Sequence, residues 1–315
     1  MGSLNGLDWG VPMRPFPLRG AWVLPGIGCL LIPCLCATAG AQSQPLSAVE
    51  LVRKTVENEL HSVDNSAKFM FRARKVTPRG SETKLMVETR EAMAGILIAI
   101  NDRPLTPEER EAENARVDRF AKDPEELRKR QRQEKEDTER IGRIMRALPD
   151  AFLYEFAGTE PSAPGVGKAG DTLVRLSFRP NPGYVPPTRV EQVLTGMQGS
   201  LLIDEKKCRI ATIDGTLGKE VGFGWGILGH LDRGGHFLVE QADAGQGDWE
   251  ITHMDLAFTG KILLFKSINF RSSEFASDFQ PVPSDLSFAQ GIELLRKHEA
   301  MLAENNAQAS GRQSK

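Results

Sequence analysis

Residues 199–217 have the sequence GSLLIDEKKCRIATIDGTL, which predicts two β-strands joined by a tight turn. The flanking runs, residues 199–204 and 208–217, are rich in apolar and β-branched side chains. The charged residues 205–207 separate them. Apolar runs on either side of a short polar turn are typical of an antiparallel hairpin. The stretch therefore predicts antiparallel sheet in this half of the chain.

Similar strand patterns occur on both sides of this hairpin, separated by turns rich in glycine, proline, asparagine and aspartate. Strands are predicted over residues 68–76, 84–90, 95–100, 152–156, 172–178, 236–241, 249–258 and 262–271. No two of them are joined by a helix of βαβ type, so the sheet is expected to be antiparallel and meandering. Helical spacing of apolar residues predicts a leading helix over residues 46–61 and a closing helix from residue 286.

A long charged helix is predicted over residues 106–148, with a restart at Asp123-Pro124, where a second cap is followed by proline. Thr106, Pro107 and Glu109 have the pattern of an N-cap, a first-turn proline and a capping-box partner. Acidic and basic residues occur in equal number, and no apolar residue lies between positions 128 and 140. Because opposite charges lie within a Debye length of each other, nucleic-acid binding is not expected. We expect a solvated helix that is dispensable for folding; the alternative is a helix that docks an envelope protein.

The first 41 residues predict a secretory signal peptide. Two arginines precede an apolar segment over residues 21–36, and small residues follow it up to Ala41. This order is typical of exported precursors, with cleavage expected between Ala41 and Gln42. It places the mature protein in the periplasm of a diderm bacterium or outside the cell, without a transmembrane span. An uncleaved anchor helix is the alternative, although two prolines interrupt the apolar segment.

The composition and the motif search exclude several classes of protein. A formal net charge of −2 on 315 residues is too balanced for a nucleic-acid binder that acts through its charge. Cleavage of the leader would leave Cys208 as the sole cysteine, so no intramolecular disulfide is expected. His230, His236 and His253 show no metal-ligand spacing, and no nucleophile elbow or phosphate loop is present. We therefore expect no catalytic residues, no metal and no cofactor.

The hairpin over residues 199–217, with the strands that follow it, resembles the periplasmic lipoprotein-carrier (lipoprotein-sorting, LolA-like) superfamily. The resemblance covers about residues 145–295 in order and pattern. It implies an α+β protein whose antiparallel meandering sheet forms an unclosed half β-barrel covered by helices, here with the charged helix 106–148 inserted. Residues 42–303 would form one such domain, followed by a polar disordered tail over residues 304–315.

The resemblance also implies a function, which is binding or carrying lipid or lipoprotein acyl chains in the cavity of the barrel. Side chains alternate between the faces of a strand, so each predicted strand presents one apolar row to such a cavity. The residues expected to line it are Phe69, Phe71, Trp225, Phe237, Val239, Met254, Leu256, Phe258, Ile268 and Phe270. The alternative is a non-enzymatic structural or interaction module of the cell envelope that has no ligand cavity.

Overall fold

The computed structural model of the protein describes residues 46–223, 229–245, 247–262 and 266–313. The predicted leader with its cleavage site at Ala41 and Gln42, and the cavity candidate Trp225, lie outside these residues. The described chain is of the α+β class and contains a large antiparallel sheet, which confirms the predicted fold class at this level. None of the described helices is both long and apolar enough to cross a membrane.

The helices begin where the sequence provides capping residues. Ser47 with Glu50, and Thr106 with Glu109, form reciprocal capping boxes, and Asp123 caps the third helix. The helices are α1 (Ala48–Asn65), α2 (Pro107–Lys122), α3 (Pro124–Ala151) and α4 (Phe288–Gln313), with a 3-10 helix over Glu191–Gly196. The predicted charged helix is therefore two helices divided at Asp123, because Asp123-Pro124 starts a new helix.

Ten strands correspond to predicted ones and are longer at several ends, whereas β4, β9 and β10 were not predicted. They are β1 (Lys68–Thr77), β2 (Gly80–Glu88), β3 (Met93–Ile100), β4 (Arg103–Pro104), β5 (Phe152–Pro161), β6 (Thr172–Pro180), β7 (Met197–Asp204), β8 (Arg209–Leu217), β9 (Val221–Phe223), β10 (Gly229–Leu231), β11 (His236–Gly245), β12 (Asp248–Ile262) and β13 (Lys266–Val282).

The described strands form one antiparallel sheet with two free edges. Its order is β4-β3-β2-β1-β13-β12-β11-β8-β7-β6-β5, and the small β9–β10 hairpin attaches to β12. The order departs from a simple meander where the first strand, β1, pairs with the last, β13. Among the described strands, none lies beyond the edges at β3–β4 and at β5, so the sheet is unclosed.

Two hydrophobic clusters hold helices against opposite ends of the sheet. The first cluster joins α1 and the end of α3 to β5–β8, with Val52, Leu148 and Leu201 among its buried members. The second joins α2 and α4 to β1–β3 and includes Val87 and Leu295. Strand register places the two clusters on opposite faces of the sheet, because directly opposed residues share a face.

We name the two faces by the residues of β11. The apolar face carries Phe237 and Val239 and includes the first cluster. The polar face carries Glu240 together with His253 of β12, which lies directly opposite. These names are used below for the whole sheet.

Charged side chains of α2 and α3 bind the free edge of β3. The backbone N–H of Leu97 donates a hydrogen bond to Glu113 Oε1 at 2.7 Å, and that of Met93 donates to Glu134 Oε1 at 3.1 Å. An edge strand presents unpaired backbone groups, and here carboxylates take the place of a neighbouring strand. Val117 of α2 is buried as well. The expectation that this segment is only solvated is therefore wrong at these positions.

The closing helix is also longer than predicted. Helix α4 continues past Glu304 to Gln313, where the sequence analysis placed a polar disordered tail. Residues 304–310 contain neither glycine nor proline, so nothing in their sequence stops a helix that is already formed. At its other end, α4 lies close to the sheet: a Cβ on Gly291 would lie 2.7 Å from Thr89 Cγ2.

Candidate functional site

The centre of the apolar face carries a continuous set of half-buried apolar side chains. Cross-strand register pairs Phe237 with Leu256, Val239 with Met254, and Phe258 with Phe270. Each pair therefore lies side by side on one face, as the sequence predicted. We call this set the apolar groove; its residues are Phe237, Val239, Met254, Leu256, Phe258, Ile268 and Phe270. It lies beside the first cluster, on the same face of the sheet.

Two phenylalanines form the boundary between the apolar groove and the first cluster. Phe237 and Phe258 pack against that cluster and remain half-exposed. Each ring lies against a glycine, since a Cβ on Gly215 would lie 2.3 Å from Phe237 Cε1 and one on Gly235 would lie 2.5 Å from Phe258 Cδ1. Glycine at both positions therefore lets the rings lie flat on the backbone.

Phe69 and Phe71 do not belong to the apolar groove, although both were expected to line the cavity. They are 2% and 4% exposed and form a separate buried cluster with Met86, Met93 and Ala276. The ring of Phe279 covers both, with centroid distances of 6.0 Å to Phe69 and 5.4 Å to Phe71. They belong to the closed core of the described structure.

Two surface cavities among the described residues contain no residue of the apolar groove. The first, about 460 Å³, is lined by residues of β6, β7 and the adjoining loops, including Tyr184 and Lys219. The second, about 320 Å³, lies on the polar face and is lined by Arg72, Arg74 and Phe275, among others. The apolar groove is therefore separate from both of these cavities.

The three histidines that the sequence analysis considered as a group lie apart, each beside its own carboxylate. His236 Nε2 lies 3.0 Å from Asp214 Oδ1, and His230 Nε2 lies 3.3 Å from Asp232 Oδ1. His230, Asp232 and the exposed Glu220 also place one ligand atom each within 4.8 Å of one another, a spacing compatible with a metal ion. This group is solvent-accessible and flanks residues 224–228, which lie outside the described chain.

The third histidine makes two side-chain contacts on the polar face. His253 Nδ1 lies 2.9 Å from Glu240 Oε2, and His253 Nε2 lies 3.3 Å from Ser273 Oγ. The ring stacks on Phe275, with centroids 4.4 Å apart and planes inclined by 5°. The sequence did not predict this arrangement. A hairpin about residues 243–247 could have paired Glu240 with His253, but only the β12–β13 register brings in Ser273.

Charged groups are also buried at the end of the sheet where β8 and β12 begin. Arg209 Nε donates to Glu59 Oε1 at 3.0 Å, and the backbone N–H of Ile210 donates to the same oxygen at 2.7 Å. The guanidinium of Arg209 lies over the ring of Trp249, 5.6 Å from its centroid. Burial raises the pKa of Glu59, and the charge of Arg209 opposes that rise.

A neighbouring carboxyl group has an incomplete set of partners. Glu250 is 5% exposed, and its Oε1 has no hydrogen-bond partner. Burial raises the pKa of Glu250 well above 4.5, and the nearby carboxylates of Glu88 and Asp248 raise it further, against the opposing effect of Arg209. This environment favours the neutral, protonated form of Glu250.

Comparison of this chain with protein-family models, with curated proteins and with solved structures finds no match.

Proposed function

We propose that the protein binds an apolar ligand, such as a lipid or the acyl chains of a lipoprotein, in the apolar groove. The observation that carries this proposal is the contiguous set of half-buried apolar side chains on the central strands β11–β13, on the face of the first cluster. Single exposed apolar residues are common on proteins, whereas contiguous apolar patches usually mark a binding surface.

The dimensions of the apolar groove suit an acyl chain. Its residues lie on three adjacent strands, β11, β12 and β13, which are spaced about 4.8 Å apart, so the surface is about 10 Å wide. Each methylene group that a chain buries there contributes about 0.8 kcal/mol. A chain of several methylenes would therefore gain enough free energy to offset the cost of its own ordering.

Curvature of the sheet supports the proposal that it forms a half β-barrel covered by helices. Helix α3 binds β3 at one edge through Glu134 and ends at Ala151, directly before β5 at the other edge. These two helix positions are about 26 Å apart along the helix axis. In a flat sheet, β3 and β5 would be separated by about 43 Å. The shorter distance along α3 favours a sheet that bends toward closure.

The remaining predictions complete this proposal. We propose that residues 42–303 form one domain of the lipoprotein-carrier type, exported to the periplasm by the leader. The ligand would then be a lipid, or an acylated protein, of the cell envelope.

A pair of matched variants tests ligand binding. Leu256 lies in the apolar groove, whereas Leu238 is a half-exposed leucine of the next strand on the polar face. We expect Leu256→Gln to weaken binding of a fluorescent fatty acid by about tenfold, since it places an amide against the acyl chain. We expect Leu238→Gln to leave binding unchanged. Native mass spectrometry of the parent protein should show a co-purified lipid.

A further variant distinguishes the carrier from the alternative, a module of the envelope without a ligand site. If the protein is such a module, Phe258 is an ordinary core residue, and Phe258→Ala should cost about 3–5 kcal/mol. For a carrier, the stability loss should be smaller and the loss of probe binding larger. A large loss of stability, with no probe binding by the parent protein, would contradict the carrier proposal.

A further inference from the structure

The polar face holds a serine, a histidine and a glutamate in a connected line. Ser273 Oγ lies 3.3 Å from His253 Nε2, and His253 Nδ1 lies 2.9 Å from Glu240 Oε2. A carboxylate can only accept hydrogen bonds, so Nδ1 carries the proton in this pair and Nε2 is free to accept one. In serine hydrolases, a carboxylate orients a histidine, and the accepting nitrogen of that histidine lies beside a serine. The three residues here have the same arrangement.

We propose that Ser273, His253 and Glu240 form a hydrolytic site for small carboxylic esters. Ser273 would be the nucleophile and His253 the general base, while Glu240 would be a positioning residue. The site lies on the polar face, opposite the apolar groove, so it is independent of the binding function proposed above.

Three neighbouring strands hold this line of residues in place. Glu240 lies directly opposite His253, and His253 lies opposite Phe275, two positions from Ser273 on β13. The register of β11 and β12 shifts just beyond Glu240, which marks a bulge beside the site. Bulges of this kind re-aim side chains and are frequent next to active sites. The parallel ring of Phe275 further restricts the orientation of the imidazole.

The site is also accessible to a substrate. The side chains of His253 and Glu240 are 21% and 26% exposed, and Ser273 is half-buried. A cavity of about 320 Å³ adjoins Phe275 on the side of β1, with Ile98 and Ala99 as apolar walls, and Ser273, His253 and Glu240 do not line it.

The reaction needs only the ester and water. Ser273 Oγ adds to the carbonyl carbon while its proton moves to His253 Nε2. The bond from the carbonyl carbon to the alcohol oxygen then breaks, and the departing alkoxide takes the proton from Nε2. In the second half, water adds to the acyl-serine, gives a proton to Nε2, and the Ser273 oxygen leaves and regains that proton. The products are one carboxylic acid and one alcohol.

Ester hydrolysis and covalent labelling test the nucleophile. We expect the parent protein to hydrolyse p-nitrophenyl butyrate and to react with diisopropyl fluorophosphate at Ser273, as located by peptide mass spectrometry. Ser273→Ala should lower kcat/KM by at least about 10²-fold. The matched control is Ser267→Ala, an exposed serine on the same strand and face that does not line the cavity, which should retain the parental rate. Parental turnover by Ser273→Ala, no turnover by the parent protein, or labelling at another serine, would overturn the proposal.

The positioning role of Glu240 requires its own readout. Glu240→Gln should lower kcat while leaving KM within about twofold, because an amide at this position no longer stabilises the imidazolium formed in the reaction. A change in KM alone would assign Glu240 a merely structural role. Circular dichroism and melting curves of each variant check that it is folded. Leu256→Gln should not alter hydrolysis, and Ser273→Ala should not alter fatty-acid binding, so the two proposals can fail separately.

Discussion

At the scale of single residues, the charges buried at the start of β8 and β12 are the least ordinary feature of the protein. Glu59 and Arg209 are 5% and 7% exposed and share a hydrogen bond. The desolvation of two buried charges offsets much of the free energy that their attraction contributes, so such a pair is weak evidence for stability. Glu59 also accepts a hydrogen bond from the backbone N–H of Ile210, and this bond fixes the position of α1 relative to β8.

Glu250 belongs to the same region and leads to a prediction about pH. Its pKa is raised in the folded chain above the ordinary 4.5, so the folded state retains a proton that the unfolded state loses. The titration of Glu250 then leaves the free energy of unfolding independent of pH below about pH 4. As the pH rises from there toward the folded-state pKa, the free energy of unfolding decreases. Glu250→Gln keeps a neutral side chain of similar shape. We expect it to stabilise the protein relative to the parent at pH 7.5 and to have little effect at pH 4.

Urea unfolding at the two pH values measures this difference. The control is Glu111→Gln, since Glu111 is an exposed glutamate of α2. The prediction is wrong if Glu250→Gln changes stability equally at both pH values, or if it destabilises the protein only at the higher pH.

At the scale of elements, α2 and α3 protect one edge of the sheet by means of carboxylates. The backbone groups at odd-numbered positions of β3 point away from β2 and form hydrogen bonds with side chains of α2 and α3. The N–H of Leu97 donates to Glu113, and the N–H of Met93 donates to Glu134. The carbonyl of Gly95 accepts from Arg116. Covered edges do not pair with other chains. Some of the charged side chains of α2 and α3 therefore cover the edge of β3, while others contact solvent.

Removal of one of these carboxylates tests edge protection. Glu113→Ala leaves the N–H of Leu97 without its acceptor and should cost about 1–3 kcal/mol in the free energy of unfolding. Glu111→Ala, on an exposed position of the same helix, should cost less than about 0.5 kcal/mol. Chemical denaturation measures both, and light scattering reports association through the opened edge. Equal effects of the two substitutions would contradict the role assigned to Glu113.

At the scale of the whole molecule, α3 connects the two ends of the sheet. It binds β3 through Glu134 and contributes Met145 and Leu148 to the first cluster, while the adjoining α2 places Val117 in the second. Both hydrophobic clusters therefore depend on a single continuous segment of chain. This favours one cooperative folding unit for the described residues.

Deletion of residues 110–145, with a flexible linker in their place, tests this cooperativity. The deletion removes Val117, Glu113, Glu134 and Met145, so we expect loss of a single sharp melting transition and increased aggregation. Circular dichroism during heating, compared with the parent protein, measures the change. Retention of β-type circular dichroism together with a cooperative melt would show that the segment is dispensable, as its charged sequence alone predicted.

The sequence by itself determined the local elements of this protein, since alternation, turn residues and helix caps act over a few neighbouring positions. The hairpin over residues 199–217, the helix starts at Thr106 and Asp123, and the shared face of Phe237 and Val239 were all predictable in this way.

Only the tertiary structure decided which distant elements meet. Pairing of β1 with β13, burial of Phe69 and Phe71, the hydrogen bond from Met93 to Glu134 and the contact of His253 with Ser273 depend on the order of strands in the sheet. The strand order depends on how much apolar surface the whole chain buries, so no short sequence pattern predicts it. The same physics explains why an apolar row can be predicted from alternation, whereas its position in the open centre of the sheet cannot.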